Sequence, residues 1–252
     1  MLWAIDVGNT QTVVGVRRDD EWVAVWRFET HWLETEDELA VKLSGLAELA
    51  GLPFEAEGLV IGSVVPAVNV TWSRLGTKWF RKEPLFLASG DQVALKVSYN
   101  PPHAVGADRI ANAIAALKRW QPPIIVVDFG TATTFDVLDH EGTYVGGAIL
   151  PGIMVSMEAL VGKTAKLPQI EIAAPESAIG RTTVGALQSG IVLGYAGAVD
   201  SLAKRIADEL VGHAPVIATG GLGGLFLDLC DVIERYEPHL TLDGLALAWE
   251  RQ

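Results

Sequence analysis

The chain has 252 residues, half of them hydrophobic and a fifth charged, with a formal charge of −12. That length and apolar content fit one large folded domain or two small ones. The acidic balance argues against a nucleic-acid or anionic-membrane surface, since both want a basic patch. Any polyphosphate ligand would need metal ions, oriented amides and a few well-placed basic residues.

The first elements read as three strands. Leu2-Trp3-Ala4-Ile5 ends in Asp6-Val7-Gly8-Asn9-Thr10-Gln11-Thr12, a small-residue turn without Lys or Arg, and Val13-Val14-Gly15-Val16 leaves it. Gly-Asn is common hairpin chemistry, so the turn alone has an ordinary explanation. If it holds a phosphate, backbone N–H groups and hydroxyls do the binding, with a cation bridging to Asp6. Asp19-Asp20 turns the chain into an alternating third strand, Trp22 to Phe28. Thr35 to Ala50 has apolar residues at Leu39, Leu43, Leu46 and Leu49 and acids at its start, which predicts an amphipathic helix ended by Gly51. Leu59 to Val65 reads as a buried strand running into Pro66, with a helix after it to Phe80. Pro84 to Leu87 is a short strand, and Val93 to Ala107 reads as loop or edge. Asp108 to Trp120 reads as a helix with Asp108 as N-cap.

The opening order of events then returns. Ile124-Ile125-Val126-Val127 ends in Asp128-Phe129-Gly130-Thr131-Ala132-Thr133-Thr134, followed by Phe135 to Leu138, a polar turn at Asp139 to Gly142, and a third strand, Tyr144 to Leu150. Val60-Ile61-Gly62-Ser63 has its counterpart in Val216-Ile217-Ala218-Thr219-Gly220-Gly221. A repeat this long predicts two similar domains rather than a solenoid. Its paired Asp-x-Gly loops resemble those of the acetate kinase, sugar kinase, Hsp70 and actin superfamily. That resemblance implies an α/β fold of two duplicated ribonuclease-H-like (actin-like) domains, residues 1–118 and 119–252, each a mixed five-stranded sheet with flanking helices. It also implies that the two hairpins bracket nucleotide phosphates and that the Thr219-Gly220-Gly221 turn lies near the adenosine.

Between the halves lies Tyr99-Asn100-Pro101-Pro102-His103-Ala104-Val105-Gly106-Ala107-Asp108-Arg109. A carboxylate at a helix start can accept a proton from a substrate hydroxyl, and a neighbouring Arg can pair with a substrate carboxylate. The same two residues also make an ordinary N-cap beside a solvated Arg. Taken in order with both Asp-x-Gly loops, Gly146-Gly147-x-Ile149-x-Pro151-Gly152 and Thr219-Gly220-Gly221, this segment is similar to that of type III pantothenate kinases, over essentially the whole chain.

The resemblance implies ATP-dependent phosphorylation of pantothenate to 4'-phosphopantothenate, the first step of coenzyme A biosynthesis, with Asp108 as general base. It implies that Asp6, Val7, Gly8, Asn9, Thr10, Gln11, Thr12 and Val13 hold the ATP phosphates, that Asp6 lies near Mg²⁺, and that Thr131 contacts ATP. Tyr99, Gly106, Ala107, Asp108 and Arg109 then line the pantothenate site, and Asp128 binds a monovalent cation, K⁺ or NH₄⁺. Thr183 reaches pantothenate from the partner subunit of a homodimer. The family often has Asn before that Thr, whereas this chain has Thr182. Phosphoryl transfer runs mostly on positioning and charge neutralisation, so a base of ordinary acidity suffices.

Other features read as structural. Gly162-Lys163-Thr164 resembles the end of a Walker loop, but Met157 stands where that pattern needs Gly. The lone Cys230 reads as a buried apolar thiol. Gly190 to Leu210 reads as one long helix with a small-residue face. The apolar region from Gly146 to Gly162 is interrupted by Pro151 and Glu158 and does not read as a membrane span. No signal-peptide pattern opens the sequence, and the expected location is the cytoplasm. Two other functions fit part of the pattern: a different small-molecule kinase or phosphatase of the superfamily, or a non-enzymatic regulator like the related Bvg accessory factor group.

Overall fold

In the computed structural model, which describes residues 1–252, Leu2–Val7 (β1) buries Trp3, Ala4, Ile5 and Val7 completely. A strand covered on both faces has no need of polar alternation, which is why its sequence shows none. On one side β1 pairs antiparallel with Gln11–Arg18 (β2), which pairs with Glu21–Glu29 (β3). On the other it pairs parallel with Gly58–Ser63 (β4), itself parallel to Leu85–Leu87 (β5), giving the order β3-β2-β1-β4-β5. Helix Glu36–Leu49 (α1) starts on a capping box. The Glu38 N–H donates to Thr35 Oγ1 at 3.3 Å, and the Thr35 N–H donates to Glu38 Oε2 at 2.8 Å. Leu39, Ala40, Leu43 and Ala47 form its buried face and pack with Trp3, Ile5 and Trp72 in one core cluster.

Chain contacts divide the molecule into Met1–Ala115 with Leu240–Gln252, and Ala116–His239. The sequence assigns the last residues to the second half, but the C-terminal helix packs on the first sheet, where glycines make room for it. A Cβ on Gly15 would lie 2.9 Å from Leu242 Cδ1, one on Gly62 2.9 Å from Leu245 Cδ2, and one on Gly58 would strike the Trp249 ring. Trp22 Nε1 also donates to Asp243 Oδ1 at 2.8 Å.

The second unit repeats the first. Ile124–Phe129 (β6) pairs antiparallel with Ala132–Leu138 (β7), which pairs with Tyr144–Pro151 (β8). Val216–Thr219 (β9) is parallel to β6, and Ile233–Tyr236 (β10) is parallel to β9, so the order is β10-β9-β6-β7-β8. This is the duplicated, mixed five-stranded arrangement that the repeat implies.

Several segments depart from the sequence reading. Pro66 to Phe80 is three successive turns types, a 3₁₀ turn at Pro66–Val68, an α-helix at Asn69–Leu75 (α2) and a π-helical turn at Gly76–Phe80 closed by left-handed Arg81. The next helix, Ala107–Arg119 (α3), begins one residue before Asp108. The predicted broken apolar region contains a helix, Ile153–Gly162 (α4), because Pro151 and Gly152 precede its first turn rather than interrupt it. Thr183–Gln188 (α5), a π-helical turn at Ser189–Leu193 and Gly194–Glu209 (α6) follow without a break, so the long helix starts earlier than its apolar pattern suggests. Gly223–Leu227 (α7) and the C-terminal Leu240–Glu250 (α8) complete the helices. No helix is long and apolar enough to cross a membrane.

Candidate active site

Each unit carries one hairpin loop that opens on a glycine, three residues long in the first (Gly8 to Thr10) and two in the second (Gly130 and Thr131). In the first, the Gly8 N–H donates to the Gln11 carbonyl at 3.0 Å, and a Cβ on Gly8 would lie 2.9 Å from that oxygen. Glycine is therefore what lets the turn close. Asn9, Thr10 and Gln11 are exposed at its tip, and Asp6, Gly8 and Val13 are half-buried. Val7 and Thr12 are buried, so these two support the loop while their neighbours reach outward. In the second loop the Gly130 N–H donates to the Ala132 carbonyl at 3.0 Å, Asp128 is half-buried and Thr131 is exposed.

The second loop is braced from two directions. The Gly152 N–H donates to the Thr131 carbonyl at 3.0 Å, and any Cβ on Gly152 would strike the Gly130 and Thr131 carbonyls. Gly220, with φ +85°, presses on the other side. A Cβ there would lie 2.5 Å from Asp128 Oδ1 and 2.7 Å from both Phe129 N and O. Thr219 is the register partner of Asp128, which brings the Gly220-Gly221 turn against the acidic strand end. Tyr236 supports this turn from behind. Its hydroxyl donates to the Gly220 carbonyl at 3.1 Å, and its ring fills the space that side chains at Gly223 and Gly224 would take.

The segment before α3 puts Asp108 in the helix's first turn. With Ala107 as first residue, Gly106 is the cap, which corrects the expectation of Asp108 as N-cap; the Ile110 N–H closes the turn onto the Gly106 carbonyl at 3.1 Å. Asp108 Oδ1 instead accepts the Arg109 N–H at 2.8 Å. Its carboxylate folds so far back that a Cβ on Gly106 would strike it. Val105 and Ala107 are buried on either side of Gly106, and Arg109 is also buried. Tyr99 is half-buried in irregular chain. Burial pushes the Asp108 carboxyl above its ordinary value, opposed by the Arg109 N–H and then by the Arg109 charge. Ordinary acidity suffices for the role that the sequence resemblance implies for Asp108; its burial shifts the carboxyl toward greater basicity than that.

Thr183 is exposed as the first residue of α5. Thr182 is that helix's cap, its Oγ1 accepting the Gly185 N–H at 3.1 Å. Threonine and asparagine both serve as N-caps, so the departure at residue 182 keeps the local geometry. Lys163 follows the last turn of α4, which places Gly162-Lys163-Thr164 at a helix C-terminus, opposite in polarity to a phosphate loop. Burial, with Asp200 and Asp231 nearby, pushes the Cys230 thiol up to about 12, so it stays protonated and unreactive.

No three His, Cys, Asp or Glu side chains converge on a metal position. One carboxylate stands near the end of each first strand, Asp6 in β1 and Asp128 in β6. Mg²⁺ typically uses one or two carboxylates and completes its shell with phosphate and water, so a single carboxylate such as Asp6 suits an ion that arrives on nucleotide phosphates.

Residues 2–205 match the family model described as type III pantothenate kinase. A type III pantothenate kinase of Anaeromyxobacter sp. (strain Fw109-5) is 46% identical over 253 residues, covering 100% of this chain and 99% of the relative. The chain belongs to the type III pantothenate kinase family. It is therefore a transferase that phosphorylates pantothenate in coenzyme A biosynthesis, with ATP and pantothenate as its substrates. Among solved structures, a conserved Baf family transcriptional activator from Campylobacter jejuni is similar with TM-score 0.61 at 16% identity, covering 98% of this chain and 97% of that one. The ethanolamine utilization protein EutJ from Carboxydothermus hydrogenoformans gives TM-score 0.57 at 15% identity, covering 97% and 88%. At these identities both speak for the fold alone, an actin-like kinase-type fold.

Sequence reasoning passed over Thr30 and Tyr236, each of which holds one of the glycine turns from a neighbouring strand. The available signal was register: pairing of Gln11 with Glu29 sets Thr30 beside the first loop.

Proposed function

We propose that Asp108 is the general base of the phosphoryl transfer, accepting the proton of pantothenate's primary hydroxyl as that oxygen attacks the γ-phosphorus of ATP, with 4'-phosphopantothenate and ADP as products. The observation that carries this reading is the half-buried Asp108 carboxylate, fixed in the first turn of α3 by the Arg109 N–H and raised in basicity by burial. Arg109 pairs with the substrate carboxylate, and Tyr99, Gly106 and Ala107 line the pocket. The Asp6–Val13 loop holds the phosphates through its exposed tip, and Thr131 contacts ATP from the second loop. Asp6 would hold Mg²⁺, and Asp128 a monovalent cation such as K⁺ or NH₄⁺. Bound there, these ions supply the positive charge that neither lysine-free loop carries. The reaction is placed in the cytoplasm, where ATP is available.

The experiment for this reading is ADP release with pantothenate, ATP and Mg²⁺ in potassium or in sodium buffer. Turnover in potassium that falls in sodium is expected. Equal rates in both would remove the monovalent ion from the site.

The reading also includes a homodimer in which Thr183 completes the partner's pantothenate pocket. Its support is a set of exposed apolar side chains in the same unit: Ile149, Met154, Val155, Leu160, Ile179 and Val184. Ile179 is 77% exposed and Ile149 63%. Asp108→Asn and Thr183→Ala, each nearly inactive alone, regain activity when mixed. Random exchange makes about half the dimers mixed, each with one intact site. No recovery after subunit exchange would place Thr183 in its own subunit's site.

A further inference from the structure

We propose that Thr30 is a positioning residue for the phosphate loop, fixing the orientation of Gly8–Thr12 from the end of β3; the inference rests on that loop's reading as the ATP site. Thr30 meets the loop at three points. Its N–H donates to the Thr10 carbonyl at 2.9 Å. Its hydroxyl donates to the Gly8 carbonyl at 2.8 Å. Thr12 Oγ1 lies 2.9 Å from Thr30 Oγ1. A hydroxyl has one proton to give, and that of Thr30 goes to Gly8, so the Thr12 hydroxyl is the donor in the remaining pair. The result is a directed chain from Thr12 through Thr30 to the Gly8 carbonyl.

This chain matters because the loop has no basic side chain with which to grip an anion directly. It carries no Lys or Arg, so oriented N–H groups and hydroxyls at Asn9, Thr10 and Gln11 must do so, and their strength depends on direction. With the Gly8 N–H on the Gln11 carbonyl at 3.0 Å, both polar groups of Gly8 are held, and so are the peptide planes that lead into the tip. Thr12 is 1% exposed, which turns its hydroxyl toward Thr30 and away from solvent. The side-chain anchor of this whole arrangement is one hydroxyl from a residue 22 positions along the chain.

Thr30→Val tests it, because valine keeps the shape and removes the hydroxyl. Alanine is the poorer choice: Thr12 and Thr30 line a cavity of about 10 Å³, and a smaller side chain would let water stand in for the lost oxygen. Thr30→Val is expected to raise the KM for MgATP about tenfold, the equivalent of about 1.4 kcal/mol, with the KM for pantothenate within about twofold of wild type. Thr30→Ser, which keeps the donor, is expected to hold both constants within about twofold. The proposal is overturned if Thr30→Val leaves the ATP KM unchanged, if serine fails to restore it, or if valine weakens both substrates alike together with a lower melting temperature. Calorimetric titration with MgATP alone separates this from the kinase reading. A wild type that binds MgATP more tightly than the valine variant, yet does not turn over pantothenate, supports the role of Thr30 and contradicts the acceptor.

Discussion

Replacing Asp108 with Asn lowers kcat by about a hundred- to ten-thousand-fold, the range general-base catalysis contributes, while the protein still folds and binds ATP. Asn keeps the shape and the ability to accept the Arg109 N–H but cannot take the proton. The stability consequence has a definite sign. Burial raises the folded-state pKa of this carboxyl above its unfolded value, so the folded chain holds a proton through a window in which the unfolded chain has released it. The group favours folding below that window, and the benefit is lost as pH rises through the folded pKa. At neutral pH Asp108→Asn therefore does not lower the melting temperature. In wild type, kcat/KM falls as the carboxylate is protonated, so its acid limb lies above the ordinary aspartate value of 3.8. An acid limb at or below that value, or an Asn variant with wild-type turnover, would assign the base elsewhere.

The second large loss is expected from Gly220→Ala. At φ +85° an L-residue is strained by about 1–3 kcal/mol. Its Cβ would also lie 2.5 Å from Asp128 Oδ1 and 2.7 Å from the Phe129 backbone. Backbone at that distance cannot step aside cheaply, so either the turn or the acidic strand end moves. The melting temperature is expected to fall by about 2–4 °C per kcal/mol for a chain of this size, and kcat/KM by at least about tenfold; with Asp128 as the proposed monovalent-cation ligand, the potassium dependence is expected to shift to higher concentration. The last readout separates displacement of Asp128 from general destabilisation. Wild-type melting and kinetics would mean that the turn relaxes without disturbing Asp128.

The fold was legible because duplication writes the same signal twice. Asp6 and Asp128 each end an apolar strand and open a small-residue turn, and the sheets built on them have the same strand order. The segment proposed to line the pantothenate site could be singled out because its residues are consecutive, from Tyr99 to Arg109. What escaped depends on contacts between residues far apart in the chain. Thr30 and Tyr236 act on turns 22 and 16 residues away, through hydrogen bonds that only the strand register brings into range. The place of α8 is written in Gly15, Gly58 and Gly62, which the sequence shows as small residues in strands and the structure shows as seats for Leu242, Trp249 and Leu245. The basicity of Asp108 is likewise a property of what covers it, which no residue beside it in sequence could reveal.

The central claim is that the phosphoryl group of ATP ends on pantothenate. Phosphorus NMR of the chain with ATP, Mg²⁺, K⁺ and pantothenate tests this directly. A phosphomonoester resonance growing in step with ADP, dependent on pantothenate and lost in Asp108→Asn, is the expected result. ADP and inorganic phosphate without a phosphomonoester, or no ADP under any of these conditions, would contradict it.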